Sequence, residues 1–190
     1  DLAREAVKRI GLVGNPEFDS GVGALSAVRK LAVMIGLGGH PADRSPEGRF
    51  YALLADATGH GLPAAISALP VLAIFYRLAR LNSSLREMVH ELNQQLKESM
   101  PIGRFVAATL VCLDEEAKNG EIWVGGTPQA FMFDRWGRAT RVFESDNLAL
   151  GIIGNEELDC KPVAFTWEDE SQLVLCSDGL LEASNNNGDQ

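Results

Sequence analysis

The sequence has little positive charge, no paired-cysteine motif and no uninterrupted apolar segment. It carries 17 Lys and Arg against 26 Asp and Glu, a formal net charge of -9, which argues against nucleic acid or an anionic membrane surface as a partner. Two prolines, a serine and two arginines interrupt the longest apolar stretch, 62–81, so it is unsuited to span a membrane. The three cysteines lack C-x-x-C spacing, which favours buried thiols in a reducing cytoplasm.

The composition is that of a folded globular protein. Of 190 residues, 46% are hydrophobic and 23% are charged, which excludes global disorder. Residues 1–23 combine a short amphipathic segment with a stretch rich in glycine, proline, asparagine and aspartate, a pattern typical of a helix followed by a linker. We therefore expect an N-terminal helix and linker over 1–23, joined to an upstream domain, and one globular domain over 24–190.

Two amphipathic helices are predicted in the first half of that domain. Apolar residues recur at helical spacing over 62–79, and we expect Pro70 to kink this helix. A capping box at Ser84 and Glu87 marks the start of a second helix, which we expect to stop near Pro101.

Short strand-like runs lie on both sides of the two helices. They occur at 31–35, 50–55, 105–113, 121–124, 130–134, 139–143, 163–167 and 173–176. The turns between the later runs are predicted at Asn119-Gly120, Trp136-Gly137 and 168–171. This order predicts an α+β fold with a mixed, largely antiparallel sheet and helices packed on it.

Asp56 ends one apolar run and precedes a glycine-flanked turn that opens the first helix. A carboxylate at a strand end is placed to bind a cation. The glycines let the backbone approach a ligand closely, and the helix N-terminus offers free N–H groups to an anion. This combination is typical of phosphate chemistry. The same residues also fit a simple helix-entry turn in which Asp56 caps backbone groups.

A second apolar run, 173–176, delivers another aspartate, Asp178, just before a glycine. Two strand-end carboxylates can share a pair of Mg²⁺ or Mn²⁺ ions, because these ions prefer oxygen ligands. Such a site can hold a water or hydroxide for in-line attack on a phosphoryl group. Asp-Gly is also a common turn signal, so neither segment establishes a site by itself.

Together and in this order, the segments resemble the metal-dependent protein phosphatase (PPM) family. The likeness is closest to its bacterial branch, typified by stage II sporulation protein E and the sigma-B regulator phosphatases. The stretch 56–65 resembles the motif D-x-S/T-G-H-G-x-x-A-A, and 177–183 resembles S/T-D-G-x-x-E-A/S. Between them, 104–114 resembles a family strand, 125–128 a glycine-rich turn and 150–152 a Leu-Gly-Ile element. The likeness covers most of the chain.

The resemblance implies a PPM-like α-β-β-α sandwich, in which helices flank two antiparallel sheets. It also implies a serine/threonine phosphatase that requires Mn²⁺ or Mg²⁺, with two ions in an intact site. Asp56 would bridge both ions, the backbone carbonyl of Ala57 would complete one, and Asp178 would bind the other. A metal-bridging water would attack phosphorus, with no phosphoenzyme and no cysteine nucleophile. His60 would be structural or lie beside the ions without binding them, and three glycines would keep the turns tight: Gly59, Gly61 and Gly179.

Two features depart from the family pattern. The family usually has a further aspartate in a G-G-D or S-G-D element, where this chain has a glycine pair and His40. His40 or the nearby Asp43 is therefore a candidate ligand. Family members also continue into a final strand that begins with a metal-binding aspartate, whereas the sequence stops at Gln190, so we expect the C-terminal strand to be missing. Two functions remain open: an active phosphatase, or a pseudophosphatase that acts as a regulated adaptor.

The resemblance also implies a partner and a setting. The substrate would be a phosphorylated regulatory protein, such as an anti-sigma-factor antagonist, in a cytoplasmic stress response. The domain would be the output of a response regulator or of a sensor, with a receiver or sensor domain upstream. Helices over 62–100 offer a surface for a homodimer, and we expect neither nucleic-acid binding nor membrane insertion. Three arginines are candidates to meet the phosphoprotein: Arg49, Arg77 and Arg104.

Overall fold

A computed structural model describes residues 32–37, 49–58, 62–101 and 103–178. These residues form the strands β1 (Ala32–Leu37), β2 (Arg49–Ala57), β3 (Val106–Asp114), β4 (Asn119–Gly125), β5 (Ala130–Phe133), β6 (Ala139–Phe143), β7 (Val163–Thr166) and β8 (Ser171–Cys176). They also form the helices α1 (Leu62–Arg80) and α2 (Leu85–Ser99). Each predicted strand and both predicted helices of the globular domain are therefore confirmed. The predicted helix and linker over 1–23 lie outside the described residues.

The strands build two four-stranded sheets. The first sheet has the order β2-β3-β4-β7 and the second has the order β1-β8-β5-β6. All named pairings are antiparallel. The longest runs from Arg49 opposite Asp114 to Ala57 opposite Val106. This confirms the α+β prediction and the two antiparallel sheets that the family resemblance implied.

Side chains of β2 alternate between two hydrophobic cores. Tyr51 and Leu53 belong to the core beneath the helices, whereas Ala52 and Leu54 belong to the core between the sheets. A strand buried on both faces reads as a continuous apolar run instead of an alternating one. Burying each leucine stabilises the fold by about 1.5–3 kcal/mol. The described layers are thus helices, first sheet and second sheet, with β2 in the middle layer.

The two helices begin and end much as the sequence predicts. The Ser84 hydroxyl accepts from the Glu87 N–H at 3.3 Å, and the Glu87 carboxylate accepts from the Ser84 N–H at 3.0 Å, so the capping box is confirmed. Helix α1 is continuous past Pro70, and α2 ends at Ser99. Neither helix, nor any other in the described part of the chain, is long and apolar enough to cross a membrane.

Tyr51 fastens the helical layer to β2. Its hydroxyl lies 2.9 Å from the Ser83 carbonyl and 3.1 Å from the side-chain oxygen of Asn82. Both acceptors lie in the turn between α1 and α2. Burial is the main cause that raises the pKa of Tyr51 to about 12, so the phenol keeps its proton and remains a donor. These contacts hold the strand that carries Asp56 on the face beneath the helices.

One predicted turn is wrong. Asn119 and Gly120 are the first residues of β4, and the turn lies just before them at 115–118. Gly120 is needed for packing, because a Cβ there would lie 2.8 Å from side-chain atoms of Leu113 and Phe165. The Asn-Gly pair thus marks a close approach between strands. The predicted turns at Trp136-Gly137 and 168–171 are confirmed.

Candidate metal centre

Asp56 is the penultimate residue of β2 and lies opposite Ala107 of β3. The preceding residues Leu53 and Leu54 are almost fully buried, and this burial holds the strand rigidly between the two cores. Burial then decreases, so that Asp56 is half-buried. The carboxylate of Asp56 therefore lies at the end of a rigid strand of the first sheet, where it is partly accessible to solvent.

Asp178 arrives from the second sheet. It follows β8 by two residues, after Cys176 and Ser177, both of which are buried. Asp178 itself is exposed. The two aspartates are therefore positioned by strands of different sheets, and their separation depends on how the sheets pack against each other.

The two carboxyl groups meet. The side chains of Asp56 and Asp178 are within hydrogen-bonding reach of each other. Burial, then the negative charge of Asp178, then this hydrogen bond raise the pKa of Asp56 above its ordinary value. Each of these causes disfavours the ionised carboxylate. A hard divalent cation would reverse that balance, because carboxylate oxygens are its preferred ligands.

Part of the predicted site lies within the described residues. Asp56, Ala57 and Asp178 do, and the structure places the carboxyl groups of the two aspartates within reach of each other. Ala57 is half-buried and paired with Val106. Within the described residues, no group of three or more His, Cys, Asp or Glu side chains is arranged to hold a metal. The remaining predicted site residues lie outside the described residues: His40, Asp43, Gly59, His60, Gly61 and Gly179.

Thr58 extends the β2–β3 ladder one residue beyond the strand. Its N–H donates to the Phe105 carbonyl at 3.0 Å. Its hydroxyl donates to the same carbonyl at 3.2 Å and accepts from the Phe105 N–H at 3.1 Å. Arg104 adds a hydrogen bond from Nη1 to the Thr58 carbonyl at 2.9 Å. These contacts fix the chain immediately after Ala57.

The three arginines predicted to contact a phosphoprotein lie in different parts of the structure. Arg49 starts β2, at the end remote from Asp56. Arg77 lies about four turns along α1 and pairs with Glu91 at 2.9 Å. Arg104 is exposed and bonded to the residue after Ala57. The hydrophobic pattern of the sequence does not distinguish Arg104 from the other two arginines, because the position of Arg104 near Ala57 depends on the pairing of β2 with β3.

The Leu-Gly-Ile element supports the same segment from the other side. Leu150 and Val106 exchange two backbone hydrogen bonds, at 2.9 and 2.8 Å. Gly151 has φ of +90°, a conformation that favours glycine, and its N–H donates to the side-chain oxygen of Asn93 at 2.8 Å. Helix α2 is thereby connected to β3, which pairs with the Asp56 strand. Sequence reasoning missed Asn93.

The glycine-rich turn at 125–128 also contributes to the architecture. Gly126 has φ of +75° and donates its N–H to the Asn147 carbonyl at 3.0 Å. A Cβ at this position would lie 2.7 Å from the Cβ of Ala149. The turn is further held by the buried hydroxyls of Thr109 and Thr127, which lie 2.6 Å apart.

The prediction of buried free thiols is confirmed, and burial raises the pKa of each of the three: Cys112, Cys160 and Cys176. A raised pKa keeps these thiols protonated and poorly nucleophilic. The three cysteines are therefore poor candidates for a nucleophile.

Solved structures similar to this chain define its class as a PP2C-type phosphatase fold. The PP2C domain of SpoIIE from Bacillus subtilis, with a fragment of its regulatory domain, has a TM-score of 0.59 and 14% identity, covering 83% of this chain and 49% of that chain. The PP2C domain of SiaA from Pseudomonas aeruginosa has a TM-score of 0.59 and 15% identity, covering 83% and 65%. RsbX in complex with magnesium has a TM-score of 0.51 and 15% identity, covering 74% and 69%.

A family model identifies the group within that class. The model for stage II sporulation protein E (SpoIIE) matches residues 46–190, more than half of the chain. The chain therefore belongs to the stage II sporulation protein E family, as the motifs predicted. No curated protein matches the sequence. The chain spans about half of the Bacillus subtilis structure and about two thirds of the Pseudomonas aeruginosa one.

Proposed function

We propose that this domain binds Mn²⁺ or Mg²⁺ through Asp56 and Asp178 and hydrolyses phosphoserine or phosphothreonine in a partner protein. One observation carries the proposal: two strands of different sheets bring these carboxyl groups within hydrogen-bonding reach. Such a like-charged pair is unfavourable by itself, and a divalent cation would stabilise it. The magnesium bound to RsbX, which has a similar fold, supports the choice of a hard cation.

The donor set fits such an ion. Two carboxylates and the carbonyl of Ala57 are hard oxygen donors, which Mg²⁺ and Mn²⁺ prefer. His40 and Asp43 are the candidates for a further ligand. Bound divalent ions would supply an activated water and neutralise charge on the phosphoryl group.

The surrounding residues have positioning and access roles. The hydrogen bonds of Thr58 and Arg104 hold the chain just after Ala57, so that its carbonyl keeps one position. Asp56 is half-buried, which limits competition from water, whereas Asp178 is exposed. An open side is what a phosphorylated side chain on another protein requires. The exposed cation of Arg104 at this end would attract such a segment.

The finer setting of this activity is proposed from the family resemblance. We propose that the substrate is a phosphorylated regulatory protein of the anti-sigma-factor antagonist type, in a cytoplasmic stress response. We also propose that a sensor or receiver domain upstream controls the domain, which is then the output of a response regulator or sensor. Helix α1 offers a groove for a homodimer, lined by Ala73, Tyr76, Arg77, Arg80 and Leu81.

The second candidate function is that of a pseudophosphatase adaptor. It is favoured by one feature of the sequence, His40, which stands where the family usually has an aspartate. Replacing a carboxylate with an imidazole removes one negative charge from a site that must neutralise divalent ions. The adaptor would keep the fold and its partner but lack turnover.

Calorimetric titration with Mn²⁺, combined with hydrolysis of p-nitrophenyl phosphate, tests both candidates. We expect Asp56→Asn and Asp178→Asn each to weaken Mn²⁺ binding and to lower turnover by at least about 100-fold, because the metal contributes several kcal/mol to transition-state stabilisation. The matched control is Asp169→Asn at the opposite end of β8. It removes only a surface ion pair with Lys118 and should leave both quantities unchanged.

The outcomes separate the two candidates. Binding with turnover that both site variants abolish supports the phosphatase. Binding without turnover, on this substrate and on a phosphoserine peptide, supports the adaptor. A parent protein that binds no Mn²⁺, or site variants that bind as well as the parent, would overturn the metal centre itself.

A further inference from the structure

The tip of the β5–β6 hairpin, residues 130–143, is held in one conformation. The Asp134 carboxylate accepts from the N–H groups of Trp136 and Arg138, each at 2.9 Å. The Asp134 backbone also donates to the Arg138 carbonyl and accepts from the Gly137 N–H, each at 2.9 Å. Gly137 has φ of +76°, which glycine adopts without strain. The turn therefore presents its side chains from a fixed backbone.

That turn exposes the most accessible tryptophan of the chain. Trp136 is 56% exposed, whereas Trp123 is 1% and Trp167 is 7% exposed. The guanidinium of Arg135 lies 4.3 Å from the centroid of the Trp136 ring, and that of Arg138 lies 5.8 Å from it. Tryptophan and arginine are the residues most enriched at binding hot spots. A group already held in place loses little entropy on binding.

The hairpin is basic within an acidic chain. Residues 135–143 contain three arginines and no acidic residue. The carboxylate of Asp134 is directed into its own turn, and that of Glu144, after the hairpin, bonds to Gln129. The surface of the hairpin therefore attracts negative charge.

Strand β6 also offers backbone groups. It is the last strand in the order β1-β8-β5-β6 among the described strands, and residues 139–142 are all exposed. An exposed edge strand can pair with an extended segment of another chain. Arg141 and Val142 lie on this strand, so a paired segment would meet both a cation and an apolar side chain.

We propose that the β5–β6 hairpin is a docking site for an acidic, extended segment of a partner protein. The segment pairs with β6 and places its carboxylates against the three arginines, while Trp136 covers an apolar side chain between them. Charge complementarity selects this occupant, since the hairpin is basic and the rest of the chain is acidic. The proposal concerns a surface outside the aspartate pair and does not depend on the proposed phosphatase activity.

Nuclear magnetic resonance of the ¹⁵N-labelled protein tests the proposal. The probe is a short peptide of alternating glutamate and valine, and the comparison peptide carries lysine in place of glutamate. We expect saturable shifts of amides within 134–143 and a change in the fluorescence of Trp136 with the acidic peptide only. The double variant Arg135→Glu with Arg138→Glu should weaken binding by about tenfold or more, as should added salt.

Two further variants keep the test independent of folding. Trp136→Ala should weaken binding while leaving the circular dichroism spectrum unchanged, because the side chain is exposed. Arg86→Glu, a single charge reversal in the first turn of α2, should bind the peptide as the parent does, whereas Arg135→Glu alone should weaken binding. The proposal is wrong if the acidic peptide gives no saturable shift, if the shifts map elsewhere, or if the lysine peptide binds equally well. Stronger binding to phosphatidylglycerol vesicles or to single-stranded DNA would also overturn it.

Discussion

Asn93 and Asp56 are both withdrawn from water, but the fold treats them differently. Asn93 is fully buried, and its side-chain oxygen and its amide group both have partners within the protein. Asp56 is half-buried, and the partner of its carboxyl group is a second carboxyl group. The first arrangement is complete without a ligand. A bound cation would stabilise the second, because it would neutralise the two carboxyl groups. We therefore assign a structural role to Asn93 and a binding role to Asp56.

The side chain of Asn93 forms three hydrogen bonds within the protein. Its amide donates to the Ile153 carbonyl at 3.1 Å and to the side-chain oxygen of Asn155 at 2.7 Å, while its oxygen accepts from the Gly151 N–H at 2.8 Å. Within the described residues, no buried side-chain nitrogen or oxygen lacks a hydrogen-bond partner. At Asp56 the unfavourable contributions are burial of the carboxyl group and the neighbouring charge of Asp178, both of which raise its pKa.

The largest expected effect on stability comes from Asn93→Leu. The substitution keeps the branching of the side chain but leaves the Gly151 N–H and the Ile153 carbonyl without their buried partner. Each such loss costs about 1–3 kcal/mol, so we expect the free energy of unfolding to fall by about 2–6 kcal/mol in urea titrations. Mn²⁺ affinity below the transition should stay unchanged. Gln95→Leu, on the same helix, is the control for helix propensity, and a loss of Mn²⁺ affinity without a loss of stability would contradict the comparison.

Thr58→Val should have a smaller effect on stability than Asn93→Leu, but it should also lower the affinity for Mn²⁺. Valine keeps the shape but leaves the Phe105 N–H without the acceptor it has at 3.1 Å, so we expect a loss of about 1–2 kcal/mol. Because Thr58 follows Ala57, Mn²⁺ affinity should also decrease. Thr58→Ser keeps the hydroxyl and should restore both values. If the serine variant behaves like valine, the hydroxyl contacts have no positioning role.

The smallest expected effect is the dependence of stability on pH at Asp56. Because its pKa is raised in the folded state, the folded protein holds this proton more tightly than the unfolded chain does. The carboxyl group therefore destabilises the metal-free protein once the pH rises above the ordinary aspartate range. Asp56→Asn removes this effect, so in a chelator the variant should be more stable at neutral pH, by under about 1 kcal/mol given the partial exposure.

Two additions to the same urea titrations make this prediction decisive. At a pH below both the folded and the unfolded pKa of Asp56, the difference between parent and variant should vanish. Saturating Mn²⁺ should reverse the order, because a ligand that binds only the folded parent stabilises it. A variant that is less stable than the parent at neutral pH without metal would show that the carboxyl pair is a favourable structural contact.

Much of the fold was predictable because its signals are local. The capping box at Ser84 places the start of α2 through contacts within four residues, and the apolar run before Asp56 identifies a strand buried on both faces. The turn predicted at Asn119-Gly120 is wrong for a non-local reason. The glycine is required by side chains of two neighbouring strands, Leu113 and Phe165, and sequence periodicity along β4 carries no information about them.

The candidate site was predictable only in part. The order of motifs identified Asp56 and Asp178 as a pair through the family resemblance, and the structure brings them together. No local pattern in the sequence distinguishes Arg104 from the other two arginines or indicates a role for Asn93. Both roles depend on segments that lie far away along the chain. Hydrogen bonds to Thr58 and Gly151 join residues that are distant along the chain.

The sequence by itself determined where strands and helices form, which of their faces are apolar and which aspartates end strands, because those properties arise from neighbouring residues. Only the tertiary structure decided that carboxyl groups from two different sheets come within reach of each other, that Arg104 bonds to the residue after Ala57, and that the three arginines of the hairpin are exposed. Distances between remote residues are set by how the two sheets and the helical layer pack, and that packing is the sum of many contacts, none of which is local.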